Sequence, residues 1–278
     1  MIEIGRDTVF RSDPRTWLED KLDSYSLQDD VIKPEFFETV LLAGGGHISY
    51  MVVETRWGKT SLQSLDNGEG MQCAPGPYIV HRDSLWQVLR LYDDIQKAFL
   101  VTLRPDQDER WGLSLSASSE TLIRVRFVLL NDGDHGWDCA SAAVKSRLAI
   151  QSSRHDLSRY RVAVKDAFDI AGVKTSMCNR AYLGLYPPAS STATAIATLI
   201  KRGIQVLGKT KLSSFLSREE PSESVDFQAA WNPRGDGHQG PGGSSSGSAV
   251  AVAAYDWVDV GIGTDSKFIC SHSVTRPH

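Results

Sequence analysis

The stretch Gly240–Ala254, Gly-Pro-Gly-Gly-Ser-Ser-Ser-Gly-Ser-Ala-Val-Ala-Val-Ala-Ala, constrains this chain more than any other. Glycines at 240, 242, 243 and 247 permit positive φ and close backbone approach, and Ser244, Ser245 and Ser246 place three hydroxyls in a row. From Ala249 to Ala254 every residue is small and apolar. The helix this predicts is buried, with the positive end of its dipole toward the serines. By composition alone a Gly/Ser run is a flexible linker, but a linker does not lead into a helix without a polar face. Gly243–Gly247 also fits Gly-x-Ser-x-Gly with Ser245 at its centre. That reading needs a strand just before it, where Asn232–Gln239 is polar and proline-broken, and an acid and then a histidine after it. Neither Gly-x-Gly-x-x-Gly nor Gly-Lys-Ser/Thr stands here at phosphate-loop spacing.

The chain has 278 residues, 41% of them hydrophobic and 23% charged, enough for one large or two ordinary domains. A net charge of -4 with both signs interspersed argues against a nucleic-acid partner. No apolar run approaches the roughly 20 residues of a membrane span. The opening Met-Ile-Glu-Ile-Gly-Arg-Asp is no secretory signal, so a cytoplasmic protein is expected. Cys73, Cys139, Cys178 and Cys270 lie far apart, no His-x-x-x-His or Cys-x-x-Cys occurs, and neither a metal nor a cofactor is expected. Asn131-Asp132-Gly133-Asp134 lacks the acid that closes a calcium loop and reads as a solvated turn. The oligomeric state is not encoded in any visible pattern.

Along the chain, the spacing predicts a helix over 13–29, a second short helix from Pro34 through Leu41, and a stop at Gly44-Gly45-Gly46. Ile48, Tyr50 and Val52 alternate as a strand ending near Trp57. Further strands are expected at 78–80, 98–103, 111–116 and 122–130, with a helix capped by Ser84 between them. Residues 131–150, rich in Asp, Gly, Ser and Ala, read as a connection. The expected division is a small α+β domain, 1–148, and an incomplete α/β portion, 149–278, with a mixed sheet flanked by helices. In the latter, strands fall at 160–164, 204–207 and 258–262, and Ser191 caps a helix that Gly203 ends. Three strands are too few to cover the apolar helix, so an aggregation-prone region beyond about residue 205 is expected.

Lys165 closes the strand Arg-Val-Ala-Val and must either reach water or find polar partners. A second strand exit carries Lys209. Together with the hydroxyls at 244–246, these are the parts of a serine nucleophile served by a lysine base, whose amine burial would bring toward working pH.

In this order the pieces resemble the amidase signature family. Arg161–Gly172 is similar to its lysine motif, Gly208-Lys209-Thr210-Lys211 to its Gly-Lys-Thr-Asn segment, and Asn232-Pro233-Arg234 to the Asn-Pro before its serine loop. Pro241–Ala249 matches Pro-Gly-Gly-Ser-Ser-Gly-Gly-Ser-Ala with Ser246 in place of a glycine, and Gly263-Thr264-Asp265 begins Gly-Thr-Asp-x-Gly-Gly-Ser. The resemblance implies amide C–N hydrolysis by acyl transfer through a Ser-cisSer-Lys triad without metal or cofactor, on a small-molecule amide. It makes Lys165 the base and Ser244 the bridging serine held by a cis peptide, with Ser245 and Asp265 in support. The layout resembles fungal amidases whose N-terminal region is similar to scytalone dehydratase, here an interaction or substrate-shaping module without a catalytic signature. One departure is severe. The attacking serine of the family stands four residues after the aspartate, and that position is Ile269; the two glycines before it are Lys267 and Phe268. The expectation is a truncated or mis-spliced chain that is inactive or impaired. The alternative is a non-catalytic pseudoenzyme or binding protein acting through its N-terminal domain.

Overall fold

A computed structural model describes residues 2–3, 13–43, 50–64, 75–81, 84–105, 127–130, 141–148, 156–217 and 224–265. The expectations at Gly44–Gly46, Ile48, 111–116 and Asn131–Asp134 lie outside them, as does Ile269. Contacts divide the chain into two units, the first drawn from 1–90, 107–122 and 145–154, the second from 91–106, 123–144 and 155–278.

In the first unit, β1 (Ile2–Glu3) is followed by α1 (Pro14–Gln28). Proline at the first turn costs α1 no internal hydrogen bond, and the Asp13 carboxylate accepts the Thr16 N–H at 3.1 Å. Trp17, Leu18 and Leu22 of α1 pack with Phe37, Val40, Leu42, Val53 and Leu62. The helix expected from Pro34 stops at Phe37 as a 3₁₀ turn, and Thr39–Ala43 is strand β2. Strand pairing overrode the helical reading: β2 lies parallel to β4 (Gly58–Ser64), which forms an antiparallel hairpin with β3 (Met51–Thr55). Val53 and Thr55 are the inward residues of β3, while Val52 faces out. The helix expected from Ser84 is also absent. β5 (Tyr78–His81) pairs antiparallel with β6 (Ser84–Gln87) instead.

The next strands are β7 (Leu89–Asp93), β8 (Phe99–Pro105), β9 (Phe127–Leu129) and β10 (Ser141–Lys145). The last lies inside the stretch expected to be a connection; it pairs with β7. Then come β11 (Arg161–Lys165), α2 (Arg180–Leu185), α3 (Thr194–Lys201), β12 (Gln205–Thr210), α4 (Ser246–Ala254) and β13 (Val260–Ile262). The cap expected at Ser191 is not made: Ala193 precedes the first turn of α3 and offers no side-chain acceptor.

Five strands form the main sheet, in the order β13-β11-β12-β8-β9. β11 is parallel to β12 and β13, while β8 runs antiparallel to β12. The three strands expected are therefore joined by two from further upstream, and the expected cut near 148 does not coincide with the division by contacts. Every residue of β11 and β12 is buried, as in strands covered on both faces. Val162, Val164 and Val206 pack with Ile196 of α3, and the small residues of α4 pack on β11, β12 and β13. One irregularity interrupts the β11/β12 register: Val162 opposes Val206, but Ala163 opposes Gly208, leaving Leu207 as an extra residue.

Close approach explains the glycine in the first turn of α4. A Cβ on Gly247 in α4 would stand 2.3 Å from the Ala98 carbonyl oxygen and 2.5 Å from the Lys211 nitrogen, both backbone atoms. Gly247→Ala is expected to destabilise the protein by about 3 kcal/mol, the upper end of overpacking costs. The test is a urea midpoint; a shift worth under about 1 kcal/mol would show that α4 can back away from the sheet.

Candidate active site

The site forms where β11 ends. Side chains alternate along a strand, so Lys165 points to the face opposite Val164, toward the serine loop. Its amine is fully buried. Nζ has four oxygens in reach for its three N–H groups: Ser244 Oγ at 2.8 Å, Ser245 Oγ at 2.8 Å, Thr264 Oγ1 at 2.9 Å and the Thr264 carbonyl at 3.2 Å. Burial pushes this amine down to about 8 from the ordinary 10.5, and the charge of Asp265, followed by that of Cys178, pulls it partly back.

The loop that presents the serines is fixed from several sides. The Gly243–Ser244 peptide is cis, and Gly242 takes φ +74, a conformation glycine adopts without strain. Ser213 N–H donates to the Ser244 carbonyl at 3.1 Å. Ser245 Oγ accepts the Thr264 N–H at 3.2 Å and donates to its carbonyl at 3.1 Å. Gly263 makes this approach possible, since a Cβ there would come within 2.7 Å of Ser245 Oγ. α4 begins at Ser246, earlier than the Ala249 expected, with Ser246, Gly247 and Ser248 buried in its first turn. Thr210 Oγ1 lies 2.7 Å from Ser248 Oγ, so Thr210 faces the same side as Lys165.

The opposite face carries a second amine. Lys209 Nζ lies 2.6 Å from Asp166 Oδ1 in a fully buried ion pair and donates to Thr175 Oγ1 at 2.8 Å and the Lys174 carbonyl at 3.0 Å. Burial lowers the Lys209 amine, with Asp166 the first influence opposing it. A third buried lysine, Lys211, donates to the Gln228 carbonyl at 2.7 Å, and its charge acts on the Asp94 carboxyl. Asp94 is raised above the usual carboxylate range by burial, with the Tyr255 hydroxyl as the chief opposing influence, while its oxygens cap the Ala98 and Phe99 N–H groups.

Lys165, Ser244 and Ser245 thus meet at hydrogen-bond distance, and the charge of Asp265 acts on Lys165. Ile269, with Lys267 and Phe268, lies outside the described residues. Sequence reasoning missed Thr264, although it stands between two residues that were singled out. It missed the Lys209–Asp166 pair as well, which strand alternation could have indicated: Asp166 follows Lys165 and so faces the other way.

Residues 139–266 match the family model described as Amidase. This segment belongs to the amidase signature family. Among relatives of the amidase segment, the "Translocon at the outer membrane of chloroplasts 64" of Pisum sativum is 38% identical over 113 residues, 41% of this chain and 18% of that protein. A glutamyl-tRNA(Gln) amidotransferase subunit of Acidothermus cellulolyticus is 36% identical over 46% of this chain and 24% of its own length. "Amidase 1" of Arabidopsis thaliana is 37% identical over 44% of this chain and 28% of its own. The chain therefore spans about a quarter or less of most of these relatives. Among solved structures, the peptide amidase of Stenotrophomonas maltophilia aligns at 32% identity over 40% of this chain and 23% of that one, with a TM-score of 0.30. Among the described residues no helix is long and apolar enough to cross a membrane.

Proposed function

We propose that the amidase segment holds the proton-transfer half of an amide C–N hydrolase site, and that hydrolysis by this sequence is impaired at the nucleophile. The observation that carries the reading is the Lys165 amine, buried and bonded to hydroxyls of both Ser244 and Ser245. In its neutral form that amine accepts a proton from Ser244, which in turn takes one from an attacking serine hydroxyl where a serine stands at the position that is Ile269 here. The serine oxygen bonds to the amide carbon, the C–N bond breaks, and the proton returns along the same path to the departing amine. Water then repeats the sequence on the acyl-serine. A cavity of about 280 Å³, lined by Gln228, Trp231, Asn232, His238, Gln239 and Gly240 among others, adjoins the segment leading into the serine loop. Its size and lining suit a small, uncharged amide.

The second reading, a protein with the site but without turnover, is favoured by one observation: the position of the attacking serine is Ile269. A panel of small amides and a serine-directed phosphonate distinguish the two. Labelling at a single serine, lost in Lys165→Ala, supports the hydrolase. No labelling and no turnover support the second reading, with the segment 1–148 and its partners as the place to look for function. Localisation in the cytoplasm is part of the same proposal, checked by expressing the tagged chain.

A further inference from the structure

Among the described residues, two turns each hold a pair of successive non-glycine residues in the left-handed region: Met177 and Cys178 at φ +54 and +52, and Phe215 and Leu216 at φ +52 and +61. Such conformations persist only where the surroundings over-determine them. Here the surroundings are one continuous chain of hydrogen bonds. Asp166 Oδ2 accepts both the Ser176 N–H at 3.0 Å and the Ser176 hydroxyl. The same hydroxyl accepts the Cys178 N–H at 3.0 Å, which pins the first left-handed turn. The first turn then grips the second, as Cys178 Sγ accepts the Leu212 N–H at 3.3 Å and the Met177 carbonyl accepts the Phe215 N–H at 3.1 Å. From the second turn, Ser213 N–H donates to the Ser244 carbonyl at 3.1 Å.

We propose that Ser176 is a positioning residue for the serine loop: anchored on Asp166, it sets Cys178, which sets the Leu212–Ser213 backbone that holds Ser244 against Lys165. Ser176 is buried, and its side-chain hydrogen bonds are with Asp166 and Cys178 rather than with Lys165, Ser244 or Ser245. Asp166 is in turn fixed by Lys209, which also binds the Lys174 carbonyl and Thr175 just ahead of Ser176. If the path is cut, the loop loosens, solvent reaches the Lys165 amine, and its protonated form is favoured. The charged and titratable groups around that amine are Asp265 and Cys178, with Asp166, Asp169 and Lys209 grouped on the far side.

The inference rests on Lys165 acting with Ser244 as proposed above, but its test needs no turnover, so failure to hydrolyse amides leaves it standing. The Lys165 amine is titrated by NMR in the full chain carrying ¹³Cε-labelled lysine, assigned by comparison with Lys165→Met. Ser176→Ala is expected to raise the midpoint by about one unit, while Ser176→Thr, which keeps the hydroxyl, leaves it near the parent value. Cys178→Ala is expected to titrate above Cys178→Ser, which keeps an acceptor for Leu212. Loss of the thiol's own charge acts the other way and is common to both. Folded alanine variants with unshifted midpoints overturn the proposal. Loss of the cooperative fold in both alanine variants assigns these residues a structural role and overturns it equally.

Discussion

Lys165→Met is expected to melt at least as high as the parent at pH 7 while lowering any amide turnover or serine phosphonylation by roughly 10²–10⁴-fold, the usual contribution of a general base. The two effects have one origin. An amine held at about 8 in the fold and near 10.5 when exposed binds fewer protons folded than unfolded between those values. Below about pH 8 the folded state carries the full cost of a buried ammonium, and the cost fades as pH rises toward 10.5. Methionine removes that cost at pH 7 and removes the base with it. The parent is accordingly expected to gain stability relative to Lys165→Met as pH rises from 7 to 10, and any hydrolytic rate to climb with a midpoint near 8. Thermal melts at both pH values, paired with phosphonate labelling, test this. Turnover within a few-fold of the parent would remove Lys165 from the mechanism.

Lys209→Met is expected to do the reverse and cost about 3–5 kcal/mol of stability, the range for leaving one member of a buried ion pair alone. Asp166 would remain fully buried with Ser176 as its remaining side-chain donor. Adding Asp166→Asn to Lys209→Met is expected to recover at least half of the loss, because no uncompensated charge is then left inside. Urea midpoints of the parent, the single variant and the double variant decide the matter. A single variant within about 1 kcal/mol of the parent would mean that water reaches the carboxylate. Two lysines on neighbouring strands would thus answer the same substitution with opposite signs.

The parts of this site legible in the sequence were those fixed by local backbone chemistry. Small residues without a polar face predicted a buried α4, and glycines around three serines predicted a loop held close to it. An apolar strand ending in a lysine implied an amine needing polar partners, and Lys165 found them in Ser244, Ser245 and Thr264. What stayed hidden was set by pairing across long sequence separations. Phe99–Pro105 joins β12 through backbone hydrogen bonds that no side-chain pattern announces, so a boundary near 148 looked natural. Leu85, Val88, Leu89 and Tyr92 suit a helical stripe, but pairing of Tyr78–His81 with Ser84–Gln87 made part of that stretch a hairpin. Likewise β2 displaced a helix whose first turn, Pro34–Phe37, did form.

The extra residue at Leu207 decides which side of the sheet each amine occupies. With it, Lys165 stands beside Thr210, and Lys209 stands beside Val164 on the other face. Were Leu207 instead drawn into regular pairing opposite Ala163, Lys165 would come level with Lys209, two ammonium groups side by side beneath the serine loop, and Asp166 would be stranded without its counter-ion. Point substitutions in this strand change one side chain at a time. A one-residue slip at the bulge would change no side chain at all and yet exchange the faces of Lys209 and Thr210, so the backbone irregularity fixes the chemistry of this sheet as firmly as the lysines themselves.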